Sequence, residues 1–182
     1  MKSKILAIFA ALVCSTAAQA ADQTWTFSFT GFYNEGTQSF DAGYSINGAF
    51  VGSDLNGNGS LDGSEISSFM VDGVQYANCA NPGIPYFSCG LSDFSYKQGA
   101  LKFGTWMKSS DPEGFVSRGS VIKTYDQEYR YLVTPTGVTD STMRWTSDTR
   151  FELTSAVPEA DTYAMLLAGL ACLGVAARRR RG

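Results

Sequence analysis

Apolar and polar positions alternate with a period of two along most of this chain. Trp25, Phe27 and Phe29 are interleaved with Thr24, Thr26, Ser28 and Thr30. This is the spacing of a strand with one buried face, because successive side chains leave a strand on opposite sides. The alternation returns at Tyr44 and Ile46, Phe69 and Val71, Phe94 and Tyr96, and Leu101 and Phe103. It continues at Tyr129, Tyr131 and Val133, at Met143 and Trp145, and at Phe151 and Leu153. Turn-forming groups stand between these pieces: Asp41-Ala42-Gly43, Asn81-Pro82-Gly83 and Thr134-Pro135-Thr136-Gly137, with Asp72-Gly73 placed as a two-residue hairpin turn. No amphipathic helix of useful length interrupts them. Roughly eight to ten short strands in one domain predict an all-β body, an antiparallel β-sandwich or jelly roll, with most of the aromatic residues in its core.

Both ends break the pattern. At the N-terminus, Lys2 and Lys4 precede an apolar run from Ile5 to Val13, and Ala18-Gln19-Ala20 supplies small residues two apart. These are the three parts of a secretory signal peptide over residues 1–20. Cys14 follows Val13, not the small residue a lipoprotein site requires, and belongs to the discarded segment. At the C-terminus, Val157, Pro158, Glu159 and Ala160 lead into an apolar stretch rich in Ala, Gly and Leu from Tyr163 to Ala177, then into Arg178, Arg179, Arg180 and Arg181. Pro158 ends any preceding strand, since it fixes φ and has no amide proton. The apolar stretch predicts a helix that is short against the roughly 20 residues of a usual membrane span. The arginines would hold its end on the cytoplasmic side, leaving the body facing outward.

That order of parts resembles the PEP-CTERM family of exported bacterial proteins, whose tails combine a Val-Pro-Glu-Pro type motif, a hydrophobic helix and an arginine cluster. Ala160 stands where the family usually has a second proline. The resemblance covers Val157 to Arg181 of the tail at residues 157–182 and implies recognition by an exosortase, a membrane transpeptidase-like cysteine enzyme that removes the tail near the motif. It therefore implies transient residence in the inner membrane, followed by the cell surface or extracellular matrix.

Residues 21–156 remain as one β-rich extracellular domain. The whole chain has 14 basic and 17 acidic residues; setting aside the six basic and two acidic ones in the end segments leaves eight against fifteen. A body near −7 repels phosphate backbones, which argues against nucleic-acid binding and favours divalent cations. Two of the four cysteines, Cys79 and Cys89, stay in the body, and in an exported chain they are expected to close a small disulfide.

The chain contains no histidine. Ser-His-Asp and Cys-His nucleophile arrangements are thereby excluded. Asp126 with Glu128, and Asp111 with Glu113, are carboxylate pairs two residues apart, the sort of separation glycosidases use. Neither lies in a recognisable signature, and the body is expected to be non-catalytic.

One internal stretch carries chemistry. Asp54-Leu55-Asn56-Gly57-Asn58-Gly59-Ser60-Leu61-Asp62-Gly63-Ser64-Glu65 resembles the calcium loop of an EF-hand. Set against that loop, Asp54, Asn56, Asn58, Asp62 and Glu65 occupy the side-chain ligand positions and Ser60 the backbone-carbonyl position. Gly59 falls at the sharp turn. The resemblance implies Ca²⁺ as cofactor in an isolated loop within a β domain, since the flanking residues do not read as two helices. Together these features lead to an exported, calcium-stabilised envelope or matrix protein with exopolysaccharide as a candidate partner. The alternative is a calcium-dependent carbohydrate-binding module.

Overall fold

The computed structural model describes residues 22–79, 85–156 and 169–170. Eleven strands run in chain order: β1 Gln23–Asn34, β2 Ser39–Gly52, β3 Ser60–Asp62, β4 Ile66–Val71, β5 Val74–Gln75, β6 Phe87–Lys97, β7 Ala100–Ser110, β8 Ser117–Lys123, β9 Gln127–Thr134, β10 Gly137–Arg144 and β11 Arg150–Ala156. The expected signal peptide, the apolar tail apart from residues 169–170, which are helical, and the Asn81-Pro82-Gly83 turn lie outside the described residues.

The all-β expectation holds, but a two-sheet sandwich is not what forms. All the strands join one antiparallel sheet in the order β3-β6-β7-β8-β9-β10-β1-β2-β4-β5, with β11 pairing β1. This sheet curls into a half-barrel. Its two longest strands, of 12 and 14 residues, pair with each other and need a break in register to curl. That break lies between Thr30 and Phe32, where Gly31 adopts φ +85°. A bulge adds local twist and resets which residues face inward. Trp25, Phe27 and Phe29 therefore share the interior with Phe32, although Phe32 lies an odd number of positions, three, beyond Phe29. Asp41-Ala42-Gly43, expected as a turn between strands, is the other side of this irregularity within β2. There the Asp41 carboxylate accepts hydrogen bonds from Gly43 N at 2.9 Å and Tyr44 N at 3.1 Å.

Curling brings β1, β2 and β4 over β6 and β7, and the aromatic side chains close the gap. Trp25 stacks on Phe50 at 4.8 Å between centroids, Phe50 meets Phe94 at 5.4 Å, and Phe69 meets Phe103 at 4.9 Å. Pairs of this kind add to the stabilisation that burial provides. Asp72-Gly73 turns as expected, with φ +46° and +81°, the two positive values a type I′ hairpin requires. Cys79 and Cys89 are joined, with Cα atoms 5.6 Å apart, tying the segment after β5 to β6.

Candidate functional site

The inward face of β7 to β10 is a lattice of cross-strand rows. Thr105, Ile122, Glu128 and Met143 form one row, Met107, Ser120, Arg130 and Ser141 the next, and Ser109, Arg118, Leu132 and Thr139 the third. The β4–β5 hairpin faces these rows across the half-barrel. Between them lies an open cleft of about 470 Å³, within the range for small-molecule sites. Val74, Tyr76, Met107, Ile122 and Leu132 supply its apolar wall, with Arg118 and Arg130 among the lining residues.

One polar chain crosses the half-barrel here. Glu128 is buried, at 1 % exposure. Its carboxylate accepts from Tyr44 Oη on β2 and from Arg130 Nε, the latter at 2.5 Å. Arg130 Nη2 donates to Asp72 Oδ2 at 3.0 Å, and Asp72 Oδ1 accepts from Asn47 N at 3.0 Å. A buried carboxylate persists only when paired and hydrogen-bonded, and Glu128 meets both conditions. Burial, then the Glu128 carboxylate, push the Tyr44 phenol well above its ordinary range, so it stays a donor. Burial also raises Tyr76. The effect is a latch joining β2, β9 and the β4–β5 turn.

The sequence pattern pointed elsewhere on these strands. Tyr129, Tyr131 and Val133 were expected to face the core, but β9 is set the other way, with Glu128, Arg130 and Leu132 inward. The tyrosines lie outward, beside an exposed Trp106. A Cβ on Gly119 would meet Tyr131 at 2.5 Å, and one on Gly90 would meet Trp106 at 2.6 Å. Each ring thus lies over a glycine of the neighbouring strand, which lets the aromatic cover the sheet from outside. A charged pair two apart, Glu128 and Arg130, was the signal available in the sequence for an inward polar network. The other half of the Asp126–Glu128 pair sits in the β8–β9 turn, 3.3 Å from Lys123 Nζ. Asp111 caps its own loop, accepting from Val116 N at 2.9 Å.

The loop from Asp54 to Glu65 connects β2 to β4 through β3. Gly57 and Gly59 take φ +70° and +74°, so the chain doubles back on itself. Asp54 accepts from Asn58 N at 3.1 Å and Gly59 N at 2.7 Å, and Asn56 Oδ1 accepts from Asn58 N at 3.0 Å. These three ligand-position residues are thereby gathered around one turn. Asn58 Oδ1 accepts from Ser60 N at 2.8 Å. Asp62 instead faces Ser64, whose hydroxyl and amide lower its carboxyl below the usual range. Glu65 is buried, and its carboxylate accepts from Leu55 N, Asn56 N and Asp62 N at 3.1 to 3.3 Å. Among the described residues no three carboxylate, histidine or cysteine side chains converge on one point.

Comparison with known proteins bears on the tail. The family model of the PEP-CTERM protein-sorting motif matches residues 156–181, which contain Val157 to Ala160 and the four arginines. No curated protein and no solved structure matches the chain. The sorting motif points to an exported protein with a C-terminal membrane-anchoring sorting tail, a substrate for exosortase processing.

Proposed function

We propose that the protein is a non-catalytic component of the cell envelope or extracellular matrix, sorted through its tail and stabilised by Ca²⁺ bound in the loop from Asp54 to Glu65. The match at residues 156–181 carries this reading. In a host expressing the chain, mass spectrometry of the surface fraction should find the protein ending near Val157 when an exosortase is present. Tail-bearing protein in the inner membrane should accumulate when it is absent. Equal processing in both hosts would overturn the sorting reading.

For calcium, the donor set is of the right chemistry: oxygen atoms only, with neutral Asn at two positions and three carboxylates. Asp54, Asn56 and Asn58 share the turn, and Asp62, Glu65 and the Ser60 carbonyl complete the set by position. When bound, the ion would supply charge neutralisation and oppose unfolding of the loop. A hundredfold excess of Ca²⁺ over its dissociation constant should raise the melting temperature by roughly 5 to 10 °C relative to chelator. Glu65→Gln should abolish that difference, whatever it does to the melting point in chelator. Identical melting of the wild-type protein in both buffers would exclude calcium stabilisation.

A second reading, a calcium-dependent carbohydrate-binding module, draws on one observation. Trp106, Tyr129 and Tyr131 present aromatic surface on the outward face, the geometry on which sugar rings stack. Strand β3, within the loop, pairs with β6, the neighbour of Trp106's strand.

A further inference from the structure

We propose that the cleft between the β4–β5 hairpin and β7 to β10 binds a small amphipathic carboxylate, with its apolar body on the wall and its carboxylate on the Arg118 guanidinium. This inference goes beyond the sorting and calcium readings and depends on neither.

The charges along the cleft divide unequally. Glu128 and Asp72 are both engaged by Arg130, at 2.5 and 3.0 Å. Asp140 lines the rim but pairs with Tyr131, on the strand face opposite Arg130 and Leu132. Arg118 is different: it lines the cleft, it is exposed, and among the described residues it makes no ion pair. A guanidinium presents its donors as a fixed planar fork that matches a carboxylate's two oxygens.

Beside Arg118 the wall is apolar. Leu132 pairs directly with Arg118 across β8 and β9 and remains 41 % exposed on the inward face. Met107 and Ile122 continue the surface along β7 and β8, and Val74 and Tyr76 form the opposite side. A cation at one end of a mostly apolar cleft is complementary to an anion that carries a hydrocarbon body. A purely polar anion would leave the wall wet, and a neutral hydrocarbon would leave the guanidinium without its partner.

The latch makes the cleft a preformed site. The hairpin wall is fixed by Asp72 to Arg130 and to Asn47 N, so a ligand would not have to order it on entry.

The test titrates octanoate and, separately, 1-octanol into the full-length chain held in nanodiscs of zwitterionic lipid, with heats measured against an empty-nanodisc blank. Octanoate should bind one per chain and about ten- to a hundredfold more tightly than octanol, the range expected for a hydrogen bond to a charged group. Arg118→Gln, a substitution at an exposed position, should bring octanoate down to the octanol level and leave octanol unchanged. Leu132→Gln should weaken both ligands. Equal affinity for acid and alcohol in the wild-type protein would remove Arg118 as the anchor. Octanoate binding that survives both substitutions would place the ligand elsewhere, and an absence of binding by either ligand would refute the site altogether.

Discussion

Strands β7 to β9 carry rings or long aliphatic side chains on both faces, yet the two faces use them in opposite ways. Inward, Phe103 is held at 1 % exposure among Phe27, Phe29 and Phe69, and below this cluster Glu128 is sealed by Tyr44 and Arg130. Outward, Trp106 and Val121 are each 45 % exposed, and the Trp106 ring rests on the backbone of Gly90. The inner face is packed from several sides by elements distant in sequence; the outer face is packed from below only. Aromatic content therefore does not identify the core of this sheet. What identifies it is whether a second layer of side chains closes over the ring, and the curl of the sheet provides that layer on one side alone.

The largest effect that would break this contrast comes from the buried latch. Glu128→Gln removes the buried one of Arg130's two carboxylate partners, leaving Asp72, and should cost about 2 to 3 kcal/mol, somewhat less than for a fully buried pair because Arg130 is half exposed. Urea unfolding of the two proteins measures it. A loss below about 0.5 kcal/mol would mean that the inner face tolerates polar change as a surface does. Tyr44→Phe tests the same chain from β2 and should cost about 1.5 to 2 kcal/mol near neutral pH, for one lost hydrogen bond to a charged group. Its pH dependence has a definite sign. The folded phenol is raised above the unfolded value of about 10, so its stabilisation is complete below pH 10 and falls as the unfolded tyrosine ionises above it. The stability gap between wild type and Tyr44→Phe should accordingly narrow from about pH 10 upward. A gap constant to pH 11 would show that Tyr44 is not the raised group.

Much of this architecture was legible because the strands that build the core read apolar on one face and polar on the other. Trp25, Phe27 and Phe29 alternate cleanly and are all buried, and Asp72-Gly73 forms the hairpin that its residues demand. Strand β8 was hidden because Gly119 and Ser120 occupy its middle, small residues whose place is fixed by neighbours and not by their own hydrophobicity. The inversion of β9 was hidden for a related reason. Tyrosine outranks glutamate as a core residue in any local reading, and only the arrival of Tyr44 from β2 buries Glu128, while Arg130 and Leu132 on the same face stay exposed and the tyrosines are half-buried. The single curled sheet depends on a bulge at Gly31, a backbone event that alternation cannot announce. In the loop from Asp54 to Glu65, the spacing correctly located the turn at Gly59, whereas the inward carboxylate of Glu65, bonded to Leu55 N and Asn56 N, follows from a loop that closes on its own amides.

The smallest expected effect sharpens the contrast most. Trp106→Ala removes a larger side chain than any substitution on the inner face of β7 could, yet its stability cost should be below about 1 kcal/mol, because nearly half of the residue is already in water and no cavity can form beneath it. The residual cost has an identifiable source: the ring shields the Gly90 backbone, and its loss exposes that stretch of β6 to water. Gly90→Ala, by contrast, places a methyl group 2.6 Å from Nε1 of Trp106 and must tilt the ring off the sheet. In the double variant the clash has no partner, so the two substitutions should be less damaging together than the sum of their separate effects. Denaturant melts of the four proteins decide it. Additive losses would mean that Trp106 does not rest on Gly90 in solution, and a loss above about 3 kcal/mol for Trp106→Ala alone would mean that the outer face is covered as the inner one is.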